Sequence, residues 1–304
     1  MSATEQSAVQ AAQAKALAES RERGSFLRVF NNGLITALVV AIALLWSIPT
    51  FGLFISSFRP PQLLATTGWW QGLLPPWQFT ILNYETVIQA QGLGQAFINS
   101  LIITIPATIL PILFAAFAAF AFAWMKFPFR NTLFFAIVAL LVFPSQLALA
   151  PILGVFTSIG ITGTYLAVWI AHTAFGIPFA VFLLRNFFAA LPRDLIESAY
   201  IDGASNFRTF WTIIIPLSVP ALASLAIFQF MWVWNDLLVV LIFLGGSQSV
   251  APVTLVVADL VGAYGENYQL LTAAAFLSMA LPLVVFFSMQ RYFVRGILAG
   301  SVKG

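Results

Sequence analysis

The chain has 304 residues, of which 61% are hydrophobic and 8% charged, and its formal net charge is +3. A soluble domain carries about 25% charged residues, so this composition excludes an ordinary soluble globular protein and indicates lipid as the solvent for most of the chain. The sequence has no cysteine and one histidine, His172, which excludes disulfides and thiolate chemistry and argues against a histidine relay. No metal site and no nucleic-acid binding are predicted.

Residues 1–30 are rich in alanine, glutamine and glutamate. They lack the short basic region, followed at once by an apolar core, that marks a signal peptide. We predict a cytoplasmic N-terminal tail over residues 1–30. An amphipathic helix lying on the membrane surface is the alternative.

Six apolar stretches follow, each long enough for a membrane-spanning helix, which needs about 20 residues. The predicted spans are residues 34–54, 97–124, 133–155, 165–184, 212–234 and 270–289. A loop-like sequence at residues 158–163 separates the third span from the fourth. The sequence does not determine where the fifth span ends on its outer side, because its apolar run continues past Asp236 to Leu244. The predicted fold class is an all-α polytopic membrane protein with six transmembrane helices.

The distribution of basic residues predicts the orientation. Under the six-span model only Arg59, of the 13 lysines and arginines, falls on the opposite side from the rest. Cytoplasmic loops carry an excess of basic residues, so both termini are predicted to be cytoplasmic and residues 58–95 and 245–269 to face outward.

Prolines recur in the predicted spans. They are Pro49, Pro106, Pro111, Pro144, Pro151, Pro178, Pro220 and Pro282. Proline removes a backbone donor and kinks a helix. Such kinks serve proteins that change shape in the membrane, but proline is also common in membrane helices that do not, and both interpretations stay open.

The segment 190–211, between the fourth and fifth spans, is unusually rich in charge for this chain. Pro192 suits the first turn of a helix, and Asp194 and Glu197 follow where the helix dipole favours acids. Gly203 can end that helix with a positive φ angle. The sequence therefore predicts a short helix, a glycine turn and a second helix on the cytoplasmic side.

Both short helices are predicted to be amphipathic. The apolar residues are Leu195, Ala199 and Ile201 on the first and Phe207, Phe210 and Trp211 on the second. A projecting helix with apolar and acidic faces suits docking into a groove on a soluble partner. An ordinary interfacial loop helix is the alternative.

The same segment carries a gapped motif. It resembles, in residues and spacing, the cytoplasmic motif of ABC importer permeases. The matching residues are Glu197-Ser198-Ala199, Gly203, Ile213, Ile215 and Pro216. That motif reads Glu-Ala-Ala, three residues, Gly, nine residues, Ile, one residue, Leu-Pro, so Ser198 and Ile215 are mild departures. The flanks resemble the carbohydrate subfamily of these importers. Those flanks are Asp202-Gly203-Ala204, Ile214 to Leu217, Phe228-Gln229-Phe230, Trp234-Asn235-Asp236 and the tail from Gln290.

The resemblance implies a type I ABC importer permease fold over residues 31–304, in a bacterial inner membrane. It implies a second homologous permease subunit, two ATP-binding subunits and an extracytoplasmic sugar-binding protein as partners. Glu197, Ser198, Ala199, Asp202 and Gly203 would form the helix that couples to the ATPase. As in the maltose-type partner, the tail residues Gly300, Ser301, Val302 and Lys303 would also reach the ATPases. The implied cargo is an oligosaccharide or α-glucoside.

The sequence lacks the phosphate-binding loop Gly-x4-Gly-Lys-Ser/Thr. We therefore predict a transport subunit rather than an enzyme, with no cofactor of its own and with ATP-Mg used by the partner ATPase. The rival interpretation is a secondary transporter of a neutral solute. Such a transporter would show internal repeats and ionisable residues near the membrane midplane, and neither is clear here.

Trp234, Asn235 and Asp236 are the predicted residues of the substrate path. Asp236 is the only ionisable residue inside or at the edge of a span, and an acid there is a functional candidate. A place in the outer interface, where tryptophans form belts and an acid costs little, is the alternative. His172 is predicted to be a packed, hydrogen-bonded residue, with contact to the substrate as the alternative.

Overall fold

The structure, a computed structural model, describes residues 33–247, 249–261 and 267–301, with side chains described as far as residue 290. Within those ranges it is helical and has no β-strand. The helices are α1 (Gly33–Ser57), α2 (Pro61–Thr66), α3 (Leu82–Gln89), α4 (Leu93–Trp124), α5 (Arg130–Ala139), α6 (Ser145–Ser158), α7 (Tyr165–Ala189), α8 (Arg193–Ile201), α9 (Asn206–Thr209), α10 (Ile215–Leu217), α11 (Val219–Trp234), α12 (Leu238–Leu244), α13 (Val253–Asp259) and α14 (Tyr268–Ser301). Short 3-10 turns lie at Trp69–Leu73 and Leu140–Val142.

Four helices are long and apolar enough to cross a membrane: α1, α4, α7 and the Tyr268–Gln290 part of α14. Two further apolar pairs are bent, Arg130–Val142 with α6 by 101° and Asn206–Leu217 with α11 by 76°. If each bent pair counts as one span, the described residues contain six, which is the predicted number. The predicted all-α fold is confirmed.

The third and fifth spans are not the continuous helices that the sequence predicted. The residue before a proline is disfavoured in the α conformation, and Phe143, which precedes Pro144, is extended with ψ 122°. A new helix, α6, starts immediately after Pro144. In the fifth span α11 likewise restarts after Ser218, with Pro220 in its first turn, where the missing N–H costs nothing.

The outer end of the fifth span, which the sequence did not determine, lies at Trp234, the last residue of α11. The apolar run beyond it is a separate short helix, α12. The carboxylate of Asp236 accepts a hydrogen bond of 2.7 Å from the N–H of Val239 and so satisfies a free donor at the start of α12. Gly245, with φ 65°, then ends this helix.

The chain forms two compact units. Of the described residues, the first contains 33–56 and 67–77. In it Gly52 lies against the indole of Trp69, which a Cβ atom at residue 52 would approach to 2.9 Å. The second contains residues 57–66 and those described from 78 onward. It holds the candidate functional site described below.

In the second unit, buried apolar side chains surround α4 along its length. Leu93 and Ala96 near its start belong to one buried cluster with residues of α13 and α14, and Ile103 to a second with residues of α6, α7 and α12. Ala115 and Ala119 belong to a third, with residues of α7 and α11. Small residues let membrane helices approach closely, and α4 and α7 are in contact along much of their length.

Asn99 fastens the segment between α12 and α13 to the first turns of α4. Its Nδ2 donates to the carbonyl oxygens of Ser249 at 3.2 Å and Ala251 at 2.9 Å, and its Oδ1 accepts a 2.8 Å bond from the hydroxyl of Tyr165. The neighbouring Ser100 hydroxyl accepts from the N–H of Val253 at 2.9 Å. These buried polar groups are therefore satisfied within the chain.

Candidate functional site

The predicted cytoplasmic loop forms the helix, glycine turn and second helix expected from the sequence. Pro192 has φ −58° and ψ 125° and leads directly into α8. Asp194 lies in the first turn, where the positive end of the helix dipole stabilises its charge. The Ser198 hydroxyl donates to the Asp194 carbonyl oxygen at 2.7 Å. The helical part of this prediction is confirmed.

Gly203 closes α8 with a Schellman turn. Its φ angle is 77°, in the left-handed region that favours glycine. The N–H of Gly203 donates to the Tyr200 carbonyl at 3.1 Å, and the N–H of Ala204 donates to the Ala199 carbonyl at 2.9 Å. Those two bonds satisfy carbonyls that would otherwise lack a partner at the end of the helix. The glycine in the motif thus has a specific backbone role here.

The second helix of the loop is capped by Ser205, whose hydroxyl accepts from the N–H of Arg208 at 3.3 Å. Across the turn, the Tyr200 hydroxyl donates to Asn206 Oδ1 at 2.9 Å. Burial raises the pKa of the Tyr200 phenol, which keeps it protonated as a donor. From α9 the chain passes through a π-helical turn, Phe210–Ile214, into α10 and then α11. The loop is thus a defined structure that connects α7 to α11.

Ile196 anchors α8 to the bundle. It is 1% exposed and belongs to the same buried cluster as Phe188 of α7 and Phe210. Leu195 and Ile201 of the predicted apolar stripe are instead 47% and 86% exposed, so they are accessible from outside the bundle. A short helix can turn either neighbouring face inward, and here tertiary packing selects the face of Ile196.

Replacing Ile196 by alanine is expected to destabilise the protein by about 2–4 kcal/mol, because it removes a fully buried side chain and leaves a cavity. The thermal midpoint of the chain purified in detergent measures this. Leu195→Ala is the matched control, and its effect should stay within about 0.5 kcal/mol because that side chain is largely exposed. Equal effects of the two changes would contradict the assigned packing.

On the second helix of the loop, the three predicted apolar residues divide between inside and outside. Phe210 is buried, and its ring stacks on Phe117 of α4 with centroids 4.7 Å apart. Phe207 and Trp211 are exposed and touch each other edge to face at 6.2 Å. The exposed side of the loop is therefore partly apolar and unlike an ordinary solvated turn.

The predicted coupling residues sit together on this loop. Glu197, Ser198, Asp202 and Gly203 are exposed, and Ala199 is half-buried. The structure places them on one helix and its terminal turn, accessible from outside the bundle. Their role toward an ATPase stays a prediction.

The three predicted substrate-path residues make hydrogen bonds within the chain. The indole N–H of buried Trp234 donates to the Ser278 carbonyl at 3.1 Å, and Asn235 Nδ2 donates to the Met231 carbonyl at 2.7 Å. Asp236 lies beyond the last residue of the fifth span and caps α12, as described above. Burial raises the pKa of its carboxyl, against backbone hydrogen bonds from Val239 and Val240 that lower it. Their role as path residues stays a prediction.

His172 is fully buried in α7. Its ring meets the indole of Trp232 edge to face, with 6.0 Å between the ring centroids. This contact fits the interpretation of His172 as a packed residue. The predicted hydrogen bonding was wrong, because neither ring nitrogen has a hydrogen-bond partner among the described residues.

The C-terminal tail is only partly covered by the structure. Gly300 and Ser301 lie within α14, which continues past the apolar span to Ser301, and Val302 and Lys303 lie outside the described residues. The predicted N-terminal tail, residues 1–30, also lies outside the described residues. Their predicted roles stay predictions.

Long apolar helices and two bent apolar pairs together define a multi-pass membrane protein. Residues 112–299 match the family of binding-protein-dependent transport system inner membrane components, and the chain belongs to this family. It is therefore a transport subunit, and the resemblance found in the sequence is confirmed.

Two relatives and one solved structure are similar to this chain. The osmoprotective compounds uptake permease GgtD of Synechocystis is 55% identical over 87% of this chain and 90% of that protein. The alpha-glucoside transport system permease AglG of Rhizobium meliloti is 52% identical over 76% of this chain and 62% of that protein. A chain from the crystal structure of a bacterial ABC transporter involved in alginate import shares the fold, with a TM-score of 0.75 at 20% identity, covering 88% of this chain and 97% of that chain.

Proposed function

We propose that this chain is the membrane-spanning subunit of an ATP-driven importer that moves a sugar across the inner membrane by alternating access. A separate ATPase supplies the energy and docks on α8. The observation that carries this proposal is the exposed loop of α8, Gly203 and α9, which is covalently continuous with α7 on one side and α11 on the other.

The mechanism is mechanical. Closure of two ATPase domains on ATP would displace the docked α8. Because Ile196 is buried in one cluster with residues of α4, α7 and α11, α8 cannot shift without moving its neighbours. A tightly packed core passes such a displacement on rather than absorbing it. The movement would then switch the path between outward and inward access.

A neutral cargo fits the chemistry of the spans. No charged residue occurs between Arg130 and Arg185, which covers the third and fourth spans. A charged substrate inside a membrane needs charged or strongly polar partners. The relative named for α-glucoside transport supports an α-glucoside or oligosaccharide, and the relative named for osmoprotective compounds supports a small compatible solute as the second candidate.

The assembly follows the family. This chain would pair with a second homologous permease, two ATP-binding subunits and an extracytoplasmic sugar-binding protein. Both of its termini would lie in the cytoplasm, in accord with the distribution of basic residues. ATP-Mg would be bound by the ATPase, and the tail residues Gly300 to Lys303 would contact that ATPase.

Uptake by the complete importer in proteoliposomes tests the proposed function. Labelled maltose, an α-glucoside, should accumulate only with ATP and binding protein, and a non-hydrolysable ATP analogue should support none. Labelled glycine betaine, a zwitterionic osmoprotectant, should not be taken up. Accumulation driven by an ion gradient without the ATPase would instead favour the secondary transporter.

A further inference from the structure

Three side chains donate a hydrogen bond from one helix to a backbone carbonyl of another, and each acceptor lies four residues before a proline. Trp169 of α7 donates to the Ile102 carbonyl at 3.0 Å. Gln229 of α11 donates to the Ala107 carbonyl at 3.2 Å, and Trp234 of α11 to the Ser278 carbonyl. The acceptors lie four residues before Pro106, Pro111 and Pro282, which are all inside helices.

A carbonyl four residues before a proline has lost its helical partner, because proline has no N–H to donate. A buried carbonyl without a partner is costly in an apolar surrounding. Each of the three donors therefore supplies from a neighbouring helix the hydrogen bond that the proline removed. Each proline in α4 and α14 is in this way paired with a hydrogen bond from a neighbouring helix.

The carboxamide of Gln229 lies where three helices meet. It is 2% exposed and donates to α4, and its other side faces Gly176 of α7. A Cβ atom at residue 176 would come within 2.9 Å of Nε2 and 3.1 Å of Oε1. The absence of a side chain at residue 176 lets the amide lie against the α7 backbone, so the Gln229 side chain of α11 contacts both α4 and α7.

The helices that provide the two donors to α4 are those that continue from the cytoplasmic loop. Trp169 on α7 contacts α4 one turn before Pro106, and Gln229 on α11 contacts it one turn before Pro111. α4 also packs in one buried cluster with Ile196 of α8, and the indole N–H of Trp124 of α4 donates to the Phe188 carbonyl of α7. The polar contact beside each proline adds a fixed point on α4 through which a displacement of α7 or α11 can act.

We propose that Trp169 and Gln229 are positioning residues for transport, which pass the movement of α7 and α11 to α4 through the carbonyls that Pro106 and Pro111 leave free. This inference rests on the proposed function, since α8 is taken as the driven element. Without these bonds ATP hydrolysis continues, but α4 follows the movement less closely and less substrate is moved per ATP.

The test is a double-substitution cycle at Pro111 and Gln229 in the reconstituted importer, scored as maltose taken up per ATP hydrolysed. Gln229→Met keeps the size of the side chain but removes the donor, and should lower this ratio roughly tenfold, within the usual range of coupling between sites. Pro111→Ala restores an N–H for the Ala107 carbonyl. In that background Gln229→Met should change the ratio less than about twofold.

A second cycle covers the case in which Gln229→Met does not assemble. Trp169→Phe removes the indole donor, and Pro106→Ala returns the helical one to the Ile102 carbonyl. Trp70→Phe, at an exposed tryptophan outside these contacts, is the matched control and should leave the ratio unchanged. A purely structural role would lower the amount of assembled complex without lowering uptake per ATP.

Two results would overturn the inference: an unchanged ratio in the single variants, or an equal loss with and without the proline substitution. If the unmodified importer shows no ATP-driven uptake, the proposed function fails and this inference fails with it. Normal uptake by the unmodified importer together with additive cycles would refute the inference alone.

Discussion

Glu197→Lys is expected to abolish ATP-driven uptake while the chain remains in the membrane at normal levels. Glu197 is exposed on α8, so reversing its charge costs little within the chain. At an interface with an ATPase the same reversal leaves a wrong charge facing the partner, which costs several kcal/mol, and uptake should fall by more than about tenfold. Uptake and ATP hydrolysis in proteoliposomes are the measurements.

Glu85→Lys is the matched control for charge reversal. Glu85 is an exposed acid in the first turn of α3, on the side predicted to face outward. The change in net charge is identical, but no docking to the ATPase is expected there, so coupling should be retained. If Glu197→Lys transported as well as Glu85→Lys, α8 would not be the docking element.

The parts of the fold that could be predicted from sequence are those set by local rules. Long apolar stretches predict helices in lipid because every backbone polar group must be satisfied internally. Pro192 and Gly203 bracket α8 by their own backbone preferences, and the structure places both where those preferences require. The cap that Asp236 provides to α12 follows the same kind of rule, and its position three residues before Val239 is a signal in the sequence that could have separated α11 from α12.

Features that depend on distant residues could not be predicted from spacing. Periodicity gave Leu195 an apolar face of α8, but it could not show that the neighbouring Ile196 would be buried in the cluster around Phe188. The bend after Phe143 needed knowledge that Pro144 would begin a helix and not kink one. The pairing of Gln229 with the carbonyl of Ala107 joins residues 122 positions apart, which no local pattern encodes.

The candidate substrate path shows the same limit. The sequence marks Trp234 and Asp236 as polar groups at the edge of an apolar span, and that property alone made them candidates. The structure adds that the indole N–H of Trp234 donates a hydrogen bond to α14. The carboxylate of Asp236 accepts a hydrogen bond from the start of α12. A polar residue in a span can thus be required by a proline kink or a helix end as well as by a substrate.

Gly203→Val is expected to uncouple ATP hydrolysis from uptake. Residue 203 has φ 77°, and a left-handed conformation costs an L-residue about 1–2 kcal/mol, with a β-branched side chain at the upper end. A Cβ atom there would meet nothing within 4 Å, so the cost comes from the backbone and not from a clash. Relief of this strain opens the Schellman turn and redirects α8 relative to α9. Uptake per ATP hydrolysed is the measurement, with a fall of roughly tenfold expected.

Gly203→Asn separates backbone strain from the mere presence of a side chain. Asparagine is the other residue commonly found in the left-handed position at a helix end, so this variant should keep most of the uptake, and Gly203→Ala should fall between the two. Because all three side chains would project into open space, their order tracks backbone preference alone. An order that followed side-chain size, with asparagine as impaired as valine, would show instead that the ATPase requires direct access to the backbone at this turn.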